Sequence, residues 1–331
     1  MPAGSPLNCA RPRPADHDRG FREFLHYWVS PTQSLSGCAA AAIERKQPMT
    51  DDASMKALSP AEMAAKAVAL GIQKAGTPAS QVFLLAILAG AFIALGAVFA
   101  TTVAAGVTGV VPFGIAKLLT GLVFCLGLIL VVVGGAELFT GNNLLIMAVA
   151  SKAISTGDLL RNWGLVYAGN FVGSIALAAI MFLARQYTFA DGLIGATALT
   201  IANGKVGFEF LQALSLGVMC NILVCLAVWL TYSAKTTSGK IAAILFPITA
   251  FVAAGFEHSV ANMYFVPMGL FIKDFDPAFT AQIEHLSGLS VSGLTWGSFL
   301  MDNLFPVTIG NVIGGALFVG LLYWAIYLRR R

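Results

Sequence analysis

The sequence predicts an all-α membrane protein: six transmembrane helices in two inverted three-helix repeats, with helices 2 and 5 broken near mid-membrane. Three observations predict it. Of the 331 residues, 57% are hydrophobic and only 11% charged, at a mean hydropathy of +0.79. Soluble domains carry roughly a quarter of their residues as Asp, Glu, Lys and Arg, so this chain cannot cover a globule with polar groups. Six long apolar segments follow one another along the chain, and the second and fifth share one polar motif.

The chain begins differently. Residues 1–48 hold Arg11, Arg13, Arg19, Arg22 and several prolines, with no sustained apolar run. No apolar stretch follows the basic residues, so this is not a secretory signal. Met49 opens "MTDDASMKALSPAEM", which resembles a natural start. Residues 1–48 are therefore expected to be a disordered extension or the product of a start placed too far upstream. Residues 49–78 form an N-terminal segment. Within it Ser59, Pro60 and Glu62 make a helix-start signature, which predicts a short amphipathic helix over 58–76 lying on the membrane surface. Residues 79–331 make the six-helix domain.

Its apolar segments are 82–106, 118–151, 163–184, 210–234, 241–272 and 303–328. A span needs about 20 apolar residues to cross a core of roughly 30 Å. The second and fifth segments overshoot; as straight helices rising ~1.5 Å per residue they would be about 50 Å long. Tilt absorbs part of that excess, and a break absorbs it more naturally. Each long segment has a polar interruption near its middle: "GGAELFTGNN" at 134–143 and "AAGFEHSVAN" at 253–262. Aligned on glutamate they share G-x-E-x-x-x-x-N, as Gly135, Glu137, Asn142 and Gly255, Glu257, Asn262. The same device in the second helix of each three-helix half points to an internal repeat. Because three is odd, the second half must sit inverted in the membrane.

Orientation follows from Lys and Arg. With the N-terminus inside, Lys152, Arg161, Lys235, Lys240 and Arg329–Arg331 fall on the cytoplasmic side, outnumbering Lys117, Arg185, Lys205 and Lys273 opposite. Both termini are thus placed in the cytoplasm of a multi-pass protein. Gly169-x-x-x-Gly173 and Gly310-x-x-x-Gly314 suit close helix packing. Cys125, Cys220 and Cys225 lie within apolar runs and Cys9 and Cys38 outside them, with no CxxC spacing; they read as small hydrophobes without a metal or redox role.

A broken helix in lipid survives only when buried in protein or lining a wet cavity. Half-helix N-termini then turn partial positive charge toward the midplane, a resting place for an anion. His258 is the histidine that falls in a membrane segment; beside such a break, an imidazole that titrates near neutrality reads as functional in preference to a structural group bonded to backbone. Glu137 and Glu257 read as tying down the breaks by accepting backbone N–H bonds, and Asn142 and Asn262 as clamps for loop backbone. Lys205, in an outer loop before the fourth helix, is either a solvated lysine or an anion attractor. Phe124, Phe139 and Phe251 fall close to the breaks, as packing or as apolar constrictions.

The stretches "PFGIAKLLTGLVFCLGLILVVVGGAELFTG", "GFEHSVANMYFVPMGL" and "DNLFPVTIGNVIGGALFVGLLYWAIYL" closely resemble the formate/nitrite transporter family, most of all its formate channels, over about residues 58–328. The resemblance implies a homopentamer in the lipid bilayer of the bacterial inner membrane, each protomer with an aquaporin-like fold and its own pore. It implies an outer constriction of Phe124, Leu128 and Phe251, and an inner one of Leu138, Phe139 and Val224. The second helix would be broken at Leu138-Phe139-Thr140, the fifth just before His258, and Asn221 would share a hydrogen-bond network with His258 and Thr140. Lys205 would attract anions in the outer vestibule, and the helix at 58–76 would gate the cytoplasmic mouth at low pH. Gly141-Asn142 after Thr140 is a local variation on the family's loop.

The expected activity is passage of a small monovalent anion, formate first, with nitrite, acetate and hydrosulfide as the other anions implied. A protonated His258 would compensate the anion's charge, or would give up its proton so that the neutral acid crosses; the residues do not choose. No cofactor, metal, catalytic residue or nucleic-acid partner is expected. A bis-histidine haem would need two intramembrane histidines, a nucleotide-driven pump a G-x-x-x-x-G-K-[ST] motif, and a nucleic-acid partner a basic stripe; the chain has none of these.

Overall fold

The computed structural model describes residues 56–107 and 110–329. The expectations for residues 1–48 lie outside that range, as do Arg330 and Arg331. The described residues form helices and no strand. In chain order these are α1 (Pro60–Gly76), α2 (Ala79–Ala104), α3 (Phe113–Gly134), α4 (Gly141–Ala150) and α5 (Thr156–Leu183). Then follow α6 (Leu193–Val206), α7 (Phe210–Ser233), α8 (Thr237–Ala253), α9 (Ser259–Phe275), α10 (Pro277–Ser287) and α11 (Trp296–Tyr327).

Among the described residues five helices, α2, α3, α5, α7 and α11, are long and apolar enough to cross a membrane. The apolar segment 241–272 is two helices, α8 and α9, of 17 residues each. Segment 118–151 likewise divides into α3 and the short α4. Leu84, Phe99, Leu122, Ile180, Leu211 and Phe246 stand exposed, an outer surface suited to lipid and not to water. Two helices, α6 and α10, occupy stretches that hydropathy alone reads as loops.

The chain leaves α3 and α8 by the same device. Gly135, at φ +77°, and Gly255, at φ +75°, take the left-handed conformation that ends a helix. Neither has a neighbour that a Cβ would strike, so glycine is there for its backbone freedom. The small-residue stripes let backbones touch instead. A Cβ on Gly173 would run into the Ile87 carbonyl, and one on Gly314 into the Val218 carbonyl.

α1 starts with a reciprocal capping box: the Ser59 N–H donates to Glu62 Oε2 at 2.7 Å, and the Glu62 N–H to Ser59 Oγ at 3.4 Å. Its buried face of Met63, Ala64 and Ala67 packs on Met147 and Trp229. The amphipathic helix therefore spends its apolar side on the protein rather than on a membrane surface, within one compact unit with the remaining helices.

Candidate functional site

Two linkers, residues 135–140 between α3 and α4 and residues 254–258 between α8 and α9, organise the centre. Their backbone donors are consumed locally. Ala136 and Glu137 N–H donate to the Val131 and Leu85 carbonyls, and Phe256 and Glu257 N–H to those of Phe251 and Leu216. Two asparagines clamp the linkers from neighbouring helices. Asn170 on α5 accepts from Phe139 N–H (2.9 Å) and donates to the Ala86 and Glu137 carbonyls. Asn311 on α11 accepts from Ser259 N–H (2.9 Å) and donates to the Gly217 and Glu257 carbonyls.

With the backbone satisfied in this way, the glutamates have other partners than those expected of them. Glu137 Oε2 accepts from Lys74 Nζ (2.9 Å) and Asn142 Nδ2 (2.7 Å). Glu257 accepts from Lys205 Nζ (2.8 Å), Asn262 Nδ2 (2.7 Å) and Asn303 Nδ2 (3.2 Å). Among the described residues neither carboxylate takes a backbone N–H, and Asn142 and Asn262 hold the glutamates and not the loop backbone. Asn142 also donates to Asn162 Oδ1 and Asn262 to Asn303 Oδ1. The result is a lysine–glutamate–asparagine–asparagine set built twice: Lys74, Glu137, Asn142, Asn162 and Lys205, Glu257, Asn262, Asn303. Lys205 is neither in a loop nor free in solvent. It closes α6, with 14% of its side chain exposed, as Lys74 closes α1.

The two linkers part company at one position. After Glu137 comes Leu138; after Glu257 comes His258, 3% exposed. His258 Nδ1 accepts from Ala261 N–H at 3.0 Å, capping α9. An accepting Nδ1 carries no hydrogen, so the neutral ring has its hydrogen on Nε2, which stands 2.9 Å from Thr140 Oγ1. Nε2 then donates to the Thr140 hydroxyl. The imidazole stacks on Phe251 at 5.9 Å, and Phe251 meets Phe124 edge-on at 5.6 Å.

Three cavities line up through shared walls. An inner one of about 300 Å³ is lined by Lys74, Glu137, Leu128 and Leu138. A chamber of about 10 Å³ is lined by Leu128, Leu138, Val224, Phe124, Phe251 and His258. An outer one of about 420 Å³ is lined by Phe124, Phe251, His258, Lys205 and Glu257. The chamber has room for about one water. Phe124 and Phe251 separate it from the outer cavity, and Leu128 and Leu138 from the inner one.

Of the residues singled out in sequence, two sit elsewhere than expected. Leu128 lies on the inner side of the chamber, not at the outer constriction. Phe139 lines none of these cavities, because its ring packs edge-on against Tyr167 (4.9 Å) and Trp163 (6.1 Å). Asn221 joins Thr140 and His258 in one network through Thr140 and not by touching the ring; its Nδ2 donates to the Thr140 carbonyl (3.3 Å), Asn143 Oδ1 (2.9 Å) and the Asn311 carbonyl (2.6 Å). Lys74, Asn162, Asn170, Asn303 and Asn311 escaped the sequence reading. One signal was available: the asparagines of α5 and of α11 have the same spacing inside apolar helices.

A model of the formate/nitrite transporter family matches residues 61–325. The chain is 47% identical over 273 residues to the formate channel FocA of Escherichia coli (strain K12), covering 82% of this chain and 95% of that protein. It is 42% identical over 266 residues to the formate channel FocA of Haemophilus influenzae, covering 80% and 93%. Among solved structures, a pentameric formate channel with formate bound is similar at a TM-score of 0.70 and 47% identity, covering 76% of this chain and 98% of that one.

Proposed function

Because this chain belongs to the formate/nitrite transporter family, we propose that it is a membrane channel for small monovalent anions with formate as its main substrate, and no enzyme. The observation that carries this reading is the line of cavities, with a charged vestibule at each end and an apolar chamber between them whose one titratable wall is His258. The same reading makes it a homopentamer in a bacterial inner membrane, each protomer with six spans in two inverted aquaporin-like halves and both termini cytoplasmic. In it α3–α4 and α8–α9 are spans 2 and 5, broken at the linkers. Residues 79–331 form the channel domain, and α1 covers the cytoplasmic mouth.

Lys74 and Lys205 then draw anions into the vestibules. Phe124 with Phe251, and Leu128 and Leu138 with Val224, are the apolar slits that strip water. A bare anion in such a slit is penalised heavily. His258 meets it there as a neutral donor: a second hydrogen on the ring would displace the Ala261 N–H from Nδ1 and set positive charge against a helix N-terminus. Thr140 is the hydroxyl through which the Nε2 hydrogen is held or passed on. The resting ring therefore carries no charge to neutralise the anion, and Nε2 passes its hydrogen to the anion only as Nδ1 takes a proton from water and releases the Ala261 N–H, so that the ring stays neutral.

Flux in proteoliposomes separates the readings. Formate, nitrite, acetate and hydrosulfide are compared at two pH values in the wild type and in His258→Asn. Formate is expected to pass fastest, and the substitution to change its pH dependence. Nitrite or hydrosulfide passing faster than formate assigns the channel to that anion, and an unchanged pH profile in His258→Asn removes the histidine from the mechanism.

A further inference from the structure

The two vestibules are built on one plan but carry different charge. The outer cavity has Lys117 and Lys205 against Glu257, a surplus of one. The inner cavity has Lys66, Lys74 and Lys240 against Glu137, a surplus of two. Lys74 is spoken for by Glu137 and Asn142. Lys66, on α1, gives one hydrogen to the Tyr232 carbonyl (2.9 Å) and lies 5.9 Å from that residue's ring centroid, which leaves two N–H groups unassigned among the described residues. Lys240, on the first turn of α8, faces the same cavity with no carboxylate beside it among the described residues. Burial, and then the charges of Lys235 and Lys240, lower the Lys66 ammonium below its ordinary value, as expected of cations held near one another. The walls beside them, Leu70 and Val228, are apolar.

A cavity of about 300 Å³ is far larger than a one-carbon anion needs, and its two surplus charges exceed what one such anion balances. We propose that this inner vestibule binds a short dicarboxylate dianion, its carboxylates on Lys66 and Lys240 and its methylenes against Leu70 and Val228. Such a ligand cannot enter the chamber of about 10 Å³ beyond. It would therefore sit at the mouth and block the passage of monovalent anions, and it would act only when added on that face. It would also tie α1 to α8. The inference rests on the transport reading above, since block is read against flux.

The test uses malonate on the full-length protein in oriented vesicles, with formate flux as readout and sodium chloride at matched ionic strength as control. Malonate on the α1 face is expected to slow formate several-fold and competitively, and on the opposite face to do nothing. Lys66→Gln/Lys240→Gln should keep formate flux and lose the block. Absence of formate flux in the wild type refutes the transport reading. Formate flux that malonate does not slow, slows equally from both faces, slows no more than chloride does, or slows undiminished in the double variant refutes the site. If the double variant does not assemble, hydrogen exchange on the wild type decides: malonate should protect the α1 amides, and no change in them overturns the proposal.

Discussion

The linkers at 135–140 and 254–258 share a frame down to single hydrogen bonds. In each a left-handed glycine ends the helix, a glutamate binds a lysine from a helix end, and an asparagine from a distant helix receives the N–H beyond the glutamate. They differ where the first has Leu138 and the second His258. Each closes the chamber on its own side, one with an alkyl group and one with an imidazole. The shared part is therefore scaffold, because both linkers need the same irregular backbone satisfied. The proposed chemistry lies where the likeness between the two linkers fails.

The frame itself is the first place to press. Glu257→Leu leaves Lys205, 14% exposed, with no carboxylate, and leaves Asn262 and Asn303 each short of an acceptor. Removing one partner of a buried pair costs about 3–5 kcal/mol. Glu137→Leu should cost less, about 1–3 kcal/mol, because Lys74 is 27% exposed and keeps Asn142 Oδ1 at 2.7 Å. Unfolding of both variants in mixed micelles measures the difference. Equal losses would mean that the two frames are energetically interchangeable despite their unequal burial.

The glycines should behave alike. Gly135→Ala and Gly255→Ala each force a side chain into the left-handed region at φ +77° and +75°, at about 1–3 kcal/mol. Neither added methyl meets a neighbour, so the two losses should agree within error. A large inequality in the same unfolding measurement would show that one linker is strained for another reason.

His258→Leu erases the one difference and makes the second linker resemble the first. It removes the cap on α9, at about 0.5–2 kcal/mol, and the donor to Thr140. Assembly should survive, while formate flux falls about tenfold, which corresponds to ~1.4 kcal/mol at the barrier. Leu138→His in the same background asks whether the imidazole works from the opposite wall. Flux restored to wild type would mean that the side on which it stands is immaterial.

Much of this was legible in the sequence because each signal was local. Gly135 and Gly255, Glu137 and Glu257 and the lone imidazole of His258 stand out against apolar surroundings. The partners were less legible because contact is not local. Lys74 reads as an ordinary charged residue until α1 folds against its linker, and Lys205, expected to be a solvated lysine or an anion attractor, gains its glutamate partner only when α6 packs on the other. Asn170 and Asn311 are single polar groups in long helices, and which carbonyl each reaches depends on how helices cross. Phe139 shows the converse error: a place within a linker does not make a residue line the cavities, and its ring is taken up by Tyr167 and Trp163.

The finest difference between the linkers is one hydrogen. Thr140 belongs to the first linker and accepts from the His258 ring of the second at 2.9 Å, so it is where the two linkers meet. Thr140→Val keeps the shape and removes the acceptor, at about 1 kcal/mol, whereas Thr140→Ser keeps both acceptor and bond. Nitrogen chemical shifts of a histidine-labelled sample report the tautomer directly. Wild type and Thr140→Ser should show a protonated Nε2 and a bare Nδ1 at neutral pH. In Thr140→Val, Nε2 should lose its partner while Nδ1 still accepts from Ala261, so the tautomer persists and formate flux shifts by no more than severalfold. A ring protonated on both nitrogens in the wild type would mean that the cap on α9 is not what holds the imidazole neutral.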